Sequence, residues 1–448
     1  MKALFLDVYK DSNTRVSKDT AGGYGTENKL GRGMFAPLAE RMIKNGVFWP
    51  NLGFMHSVNE LKSRGFDVSY QRVIDRKSGD FLGEIESQRP DVIFLCSSLV
   101  CFETELSVAV ELSRRMPDVK VVLLGQIALE LRDEIPPAIN IVGGNYEFLF
   151  SNQLQFSKFF EGLSAGRQII ERDQVPTEGS LLPIDWSLFG GGFDNRLFTK
   201  KKNYPVLTSR GCPYSCIEYC SYPVAQGRKV RHENVSETIN NLRSIEQINP
   251  NGHVIFRDPV FTISRPRTLE LLKAMAEADL RLTCTAELHL KNCDEQTIDA
   301  LRKANVTHVK FGIESSSEFV RKGSFRYSVS NDEQKKIIHQ LKLAGITTDG
   351  MFILGMPDDS HQSMNDTIDY ACSLGLDFAQ FSIFTPYPGT ERFEKMKSLM
   401  NFDRYEQLNQ FSLRFKHKKL SPEDVERALY RAYFKFYKNK LVKVLGLL

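Results

Sequence analysis

Residues 2–9, 91–95, 120–124 and 139–142 each run apolar almost without a break, and segments of helical spacing lie between them. A strand that alternates apolar and polar residues can wet one face, whereas an unbroken apolar strand must be covered on both. With a further strand at 67–74 and helices at 81–87, 103–115 and 129–134, this predicts a parallel sheet covered on both faces, the doubly wound (Rossmann-like) α/β arrangement. The stretch 35–63 carries helical spacing, interrupted around Trp49 and Pro50. Ligands of such sheets sit at the carboxyl ends of the strands. Those ends are residues 8–13, Ser97-Ser98-Leu99, Gly125-Gln126 and Gly143-Gly144-Asn145. Small and polar residues there leave room for a ligand lying across the sheet edge, and they also make short turns.

The pattern weakens over 151–200, where Pro176, Pro183 and the Gly190-Gly191-Gly192 run interrupt it. This stretch is expected to be a wrapping linker between a first domain, 1–150, and a second, 201–395. The second holds six strands (204–208, 253–256, 281–287, 308–312, 347–354 and 378–385) alternating with helices at 235–248, 267–278, 294–304, 331–344 and 363–373. That describes a partial barrel, shorter than the closed eightfold one of about 250 residues, with its active site at the carboxyl ends of the strands. Residues 396–448 form a helical segment. Ser421-Pro422-Glu423-Asp424 supplies an N-cap, a proline in first position and acid in the first turn. Val425, Ala428, Leu429, Ala432 and Phe436 follow at helical spacing among Arg and Lys. Such a basic amphipathic helix packs on a neighbouring domain or touches a membrane surface.

The 59 Lys and Arg are nearly balanced by 55 Asp and Glu and are interspersed with them, so nothing calls for a nucleic acid partner. No run approaches the roughly 18 apolar residues of a membrane span, and Met1-Lys-Ala-Leu-Phe-Leu-Asp7 lacks the features of a signal peptide. A cytoplasmic setting is expected, where eight cysteines suggest metal or catalytic work rather than a disulfide framework. Cys96, Cys101, Cys284, Cys293 and Cys372 are scattered, as buried small hydrophobes are.

The other three are not scattered. Cys212, Cys216 and Cys220 stand within nine residues, directly after the first strand of the second domain. A structural zinc site wants four ligands, usually as two pairs, and here His232, Cys284 or Cys293 would have to be recruited. Iron-sulfur clusters are bound by thiolates, usually four. Three on one loop hold a cluster while leaving one iron for a reactant.

On these residues the chain resembles a radical S-adenosylmethionine (SAM) enzyme with an N-terminal cobalamin-binding domain, over nearly its whole length. The resemblance implies that Cys212, Cys216 and Cys220 hold a 4Fe-4S cluster, whose free iron binds SAM and whose electron cleaves it to a deoxyadenosyl radical. Tyr219 matches the aromatic residue near the adenine. Phe311-Gly312-Ile313-Glu314-Ser315 matches the strand end that approaches the ribose and methionine moiety, with Gly312 permitting close approach and Glu314 accepting hydrogen bonds. Phe352, in Phe352-Ile-Leu-Gly-Met-Pro357, resembles an apolar contact to adenine, and Pro386-Tyr387-Pro388-Gly389-Thr390 the close of the last strand. Family members space their cysteines by three residues and then two, whereas here three separate each pair. The extra residue, among Ile217, Glu218 and Tyr219, must bulge.

By position, the first domain would take cobalamin at Val8, Tyr9, Ser97, Ser98, Leu99, Gly125, Gln126, Gly144, Asn145 and Glu147. The Asp-x-His-x-x-Gly loop of the methionine synthase type does not occur, and the first histidine is His56. The resemblance thus implies a cobalt whose lower face receives no histidine from that loop.

The activity implied is methylation of an unactivated carbon in a small-molecule or lipid-like substrate, using methylcobalamin and an external electron donor of the flavodoxin or ferredoxin type. Two other readings stand beside it: radical chemistry without methyl transfer, such as a rearrangement or ring closure, and a non-catalytic metal-binding protein. Arg257, Asp258, Glu287, His289 and Tyr387 are candidate substrate contacts. Each could instead serve as a structural ion pair, a cap or a packing group.

Overall fold

The computed structural model describes residues 1–11, 15–27, 32–33, 47–74, 81–176, 179–194, 202–214, 216, 219–323 and 329–444. Its first sheet has six parallel strands, β1 (Lys2–Tyr9), β2 (Asp67–Ile74), β3 (Val92–Cys96), β4 (Lys120–Leu124), β5 (Asn140–Val142) and β6 (Ile169–Ile170), in the order β2-β1-β3-β4-β5-β6. The unbroken apolar runs do what that pattern requires. Phe5, Phe94 and Val122 pack with the helix Leu52–Ser63 on one face. Leu4, Leu6, Ile93 and Leu95 pack with Phe81–Gln88 and Phe102–Arg115 on the other. The strand order reverses at β1 and β3, which opens a crevice at their carboxyl ends.

The helical reading of 35–63 holds only from Leu52. Val47–Trp49 is instead a strand, paired with Arg15–Ser17, which also pairs with Thr26–Glu27; residues 35–46 lie outside the described residues. The helix expected at 129–134 is displaced toward the strand end, to Gln126–Glu130, followed by a single turn at Arg132–Glu134. The strand at Asn140–Val142 is not the last of its sheet, because Ile169–Ile170 from the expected linker adds an edge beyond it. A two-residue strand shows no period, so its sequence carries no signal.

The second sheet follows chain order: β7 (Phe193–Asp194), β8 (Lys202–Val206), β9 (His253–Phe256), β10 (Thr283–Glu287), β11 (Val306–Glu314), β12 (Thr347–Leu354) and β13 (Phe378–Ile383). β7 is antiparallel to β8 and all later pairs are parallel. The stretch 151–200 therefore lends a strand to each sheet. It also supplies aromatic packing between them: Trp49 stacks on Phe193 at 5.6 Å, Phe193 meets Trp186 at 5.9 Å, and Trp186 meets Tyr204 of β8 at 5.1 Å.

The C-terminal helix Pro422–Val444 lies against the helix His361–Ser373 and β13. Val425, Ala428, Leu429, Ala432 and Phe436 are all buried there, which is the domain-packing reading of its apolar stripe. No described helix is long and apolar enough to cross a membrane.

Candidate active site

β8 leads through Leu207 and Thr208 to a two-residue strand, Ser209–Arg210, paired antiparallel with Arg231–His232. Gly211 then turns the chain into the cysteine loop at φ +88°, where a Cβ would lie 2.1 Å from the Lys229 carbonyl oxygen. Gly211 N–H donates to Gln226 Oε1 at 3.1 Å and Cys212 N–H to Gly227 O at 3.1 Å. The turn therefore has one backbone path, which glycine alone adopts without strain. Cys212 and Cys216 are buried and Cys220 is half-buried. Cys220 N–H donates to Cys216 O at 2.9 Å, a main-chain bond that ties the last two cysteines together; Ile217 and Glu218 lie outside the described residues. The Cys220 thiol is pushed well up by its hydrogen bond to Cys216, by burial, and by the charges of Cys216 and Cys212, as expected where three thiols share one space.

Among the described residues no three His, Cys, Asp or Glu side chains form a group suited to a single metal ion. Two of the residues a zinc site would recruit are elsewhere engaged: Cys284 is in the core and Cys293 Sγ donates to His289 O at 3.6 Å. A cluster, whose irons stand apart, asks its thiolates to be spread over a loop rather than aimed at a point.

At the barrel mouth, Gly312 lies beside the bulge that ends β11, and Glu314 takes the left-handed conformation at φ +67°, an uncommon posture for a residue with a side chain. Ser315 is fully buried and its Oγ lies 3.1 Å from Thr367 Oγ1, so it fixes the strand end. Tyr219 meets Phe384 at 5.8 Å. Phe352 faces away from the barrel interior: it is 1% exposed and stacks at 5.2 Å on Phe381, which packs on Tyr433 of the C-terminal helix. The period of two then gives Met351 and Ile353 to the inner face of β12.

The strand ends of the first sheet meet this mouth across a narrow cleft of about 50 Å³. Ser97, Gly125, Gln126, Gly144, Asn145 and Glu147 all line it. Val8, Tyr9, Ser98 and Leu99 do not; they lie beneath, holding the 15–27 loop. Lys18 Nζ donates to Val8 O at 2.7 Å, sits 4.3 Å over the Tyr9 ring, and pairs with Asp7 at 2.9 Å and Glu105 at 2.8 Å. Ser98 donates to Glu105 through both N–H and Oγ, and Leu99 N–H to Tyr24 O. Val8 and Tyr9 are thus engaged by the buried Lys18 cation, Ser98 by the Glu105 carboxylate that pairs with it, and Leu99 by Tyr24.

Sequence reasoning missed Asp19, Asn51 and Gly53 on the first-domain wall, and Leu207, Ala225 and Gln226 on the barrel wall. The Gly22-Gly23 pair, which also lines the cleft, was the one available signal for the first wall. Nothing in the spacing marks the second.

The substrate-contact candidates part ways. Arg257 lines the cleft, donates from Nε to Asp19 Oδ2 at 2.7 Å and lies 5.2 Å over the Trp49 ring. Asp258 is fully buried; Oδ1 accepts from Thr208 N–H, Thr208 Oγ1 and Ser209 Oγ at 2.7–3.0 Å. Burial, opposed by these bonds, pushes its carboxyl up to about 6. It is a brace under the cysteine loop. His289 Nδ1 accepts from Lys291 N–H at 3.2 Å, and the ring lies 5.3 Å from Tyr214 on that loop. Tyr387 is buried, accepts from Gln410 and packs on Tyr24 at 5.5 Å, so it joins the domains. Glu287 ends β10, half-buried on the barrel's inner face.

The Radical SAM superfamily model matches residues 206–371. An uncharacterized methyltransferase of Pyrococcus horikoshii is 30% identical over 241 residues, 52% of this chain and 50% of that protein; the chain thus spans about half the length of that relative. The bacteriochlorophyllide d C-12(1)-methyltransferase of Chlorobaculum tepidum is 23% identical over 389 residues, 86% of this chain and 82% of that one. Among solved structures, the cobalamin-dependent S-adenosylmethionine radical enzyme OxsB, with aqua-cobalamin and S-adenosylmethionine bound, superposes with a TM-score of 0.64 at 12% identity, over 96% of this chain and 66% of that one.

Proposed function

Starting from a chain that carries a radical SAM domain behind a doubly wound domain of the kind found in cobalamin-dependent radical SAM enzymes, we propose a methyltransferase that acts on an unactivated carbon of a small-molecule or lipid-like substrate. The observation that carries this reading is a juxtaposition. Three cysteines of one loop stand at the mouth of a partial barrel, and the strand ends of the first sheet face that mouth across one cleft. The methyltransferase relatives support the reaction class.

The chemistry of the residues fits the groups this requires. Cys212, Cys216 and Cys220 would hold a 4Fe-4S cluster. On the cleft wall, Ser97 Oγ and Asp19 Oδ1 are buried without a hydrogen-bond partner, as suits a ligand rimmed with amides, and Gly125 and Gly144 keep the strand ends free of side chains. The described cleft residues include no histidine. When bound, the cluster supplies the electron that splits SAM, and cobalamin the methyl group.

The rest of the work belongs to the chain. Gly312 lets a ligand approach the end of β11, Glu314 accepts hydrogen bonds from hydroxyl or ammonium groups, and Tyr219 provides a ring beside the cluster. Arg257, which lines the cleft, and Glu287, at the end of β10, are the candidate polar contacts to the substrate. The electron would come from an external flavodoxin- or ferredoxin-type donor, and thiols given over to metal work suit a reducing, cytoplasmic setting.

The test is metal content after anaerobic purification from cobalamin-fed cells, with Cys216→Ala beside the parent, followed by product analysis with SAM and reductant. About four iron per chain, lost in the variant, with near-stoichiometric cobalt and release of 5′-deoxyadenosine, is the expected result. Iron without cobalt would leave radical chemistry without methyl transfer, and zinc without iron would overturn both.

A further inference from the structure

Arg210 is 2% exposed although it carries a full charge, and it lies two residues before Cys212. Its guanidinium spans the domain junction. Nε donates to Glu147 Oε1 at 3.0 Å, Nη1 donates to Glu233, and the plane lies 4.9 Å over the Phe148 ring. Glu147 opens the short helix after β5 and lines the cleft. Its second oxygen, Oε2, faces Gly53 across that wall, 2.8 Å from where a Cβ would stand. A buried ion pair cannot loosen cheaply, because parting it strands a charge in a medium that solvates it poorly. Whatever displaces Glu147 therefore moves Arg210.

Arg210 in turn has little freedom to yield without moving the cysteine loop. It pairs with Arg231 in a two-residue strand. Gly211, next in the chain, is pressed against the Lys229 carbonyl, and Cys212 N–H is bonded to Gly227. An occupant larger than the open space of the cleft must part its walls, and cobalamin is larger.

We infer that Arg210, through Glu147, is a positioning residue that couples occupancy of the first-domain cleft to the geometry of the Cys212 end of the cluster loop. The inference rests on the proposed assignment of the cleft to cobalamin and of the loop to a cluster. Linkage makes the coupling reciprocal: reduction of the cluster alters the affinity for cobalamin by the same factor that cobalamin alters the cluster's reduction equilibrium.

The test uses the full chain with its cluster reconstituted, and reads the EPR spectrum and midpoint potential of the reduced cluster with and without added hydroxocobalamin. Glu147→Gln keeps the shape of the link but removes its charge, and Arg210→Lys keeps the charge but loses the fork. Iron content and thermal melting are measured on each protein to show that it folds and loads. Expected are a change in g values and potential on cobalamin addition in the parent, loss of that change in Glu147→Gln, and at most partial retention in Arg210→Lys. Cobalamin affinity should differ about fivefold or more between the oxidised and reduced parent and be equal in Glu147→Gln.

If both cofactors load and the parent spectrum does not respond, or the variant responds as the parent does, the coupling is refuted while the functional reading stands. If iron or cobalamin fails to load in the parent, it is the functional reading that fails.

Discussion

The hydroxyl of Tyr433 serves both backbone groups of Phe381, donating to its carbonyl at 2.9 Å and accepting from its N–H at 3.1 Å. One helical turn on, Tyr437 does the same for Ala379, at 3.1 and 3.4 Å. A sheet edge normally leaves such groups in water, open to pairing with another chain. Here the last strand of the barrel is closed by two phenols on a helix.

Tyr433→Phe should therefore destabilise the protein by about 1–3 kcal/mol, because it leaves a buried N–H and C=O unpaired. Adding Tyr437→Phe should lower the concentration at which the protein aggregates on heating. Urea denaturation with light scattering checks both, and wild-type stability with wild-type solubility in the double variant would refute the capping role.

His56 is buried with Nδ1 3.2 Å from Leu182 O. Burial, aided by Arg210, pulls its pKa down to about 3, while the unfolded imidazole titrates near 6.5. Between those values the unfolded chain binds the extra proton, so this group's contribution is complete above about pH 6.5 and is lost as pH falls toward 3. His56→Gln should flatten the decline between pH 7 and 5 measured by urea unfolding. Superimposable profiles for parent and variant would show that His56 is not the titrating group.

Gly211→Ala should empty the proposed cluster site without unfolding the domain. The new methyl meets the Lys229 carbonyl at 2.1 Å in a left-handed conformation, a strain of order 1–3 kcal/mol before any clash is counted. Iron per chain should fall by more than half while circular dichroism is preserved. Full iron loading would mean that the loop tolerates another entry path.

Arg257→Gln leaves Asp19 as a buried carboxylate whose Oδ1 already has no partner, a loss of about 3–5 kcal/mol. Asp19→Asn in the same chain should restore part of it. A double-mutant cycle read by urea unfolding measures the coupling, and strict additivity would show that the pair is not a unit.

Much of this fold is legible in the chain, because unbroken apolar strands such as β1 and β4 have few alternatives to a covered parallel sheet. The rule that ligands gather at the carboxyl ends of parallel strands was also enough to place Ser97, Gly125 and Gly144 on one edge. What stayed hidden depends on partners far apart in sequence. Nothing near Glu147 announces that it will meet Arg210, and nothing near Val8 or Ser98 announces that Lys18 will take the carbonyl of the one and Glu105 the N–H and hydroxyl of the other. Phe352 shows a different limit: periodicity sorts residues onto two faces of β12 without saying which face looks inward. Ile169–Ile170 and Phe193–Asp194 are too short to have a period at all.

Those two short strands bear on how such a protein could be assembled from parts. The stretch that carries them completes one sheet at Ile169–Ile170 and the other at Phe193–Asp194, so its ends belong to different domains although it belongs to neither. A recombination point at residue 150 would deprive the first sheet of its outer strand, and one at 200 would deprive the barrel sheet of its antiparallel edge. The unit that can be exchanged as a module is therefore a domain together with the segment that stitches it, and the two halves are constrained to change together.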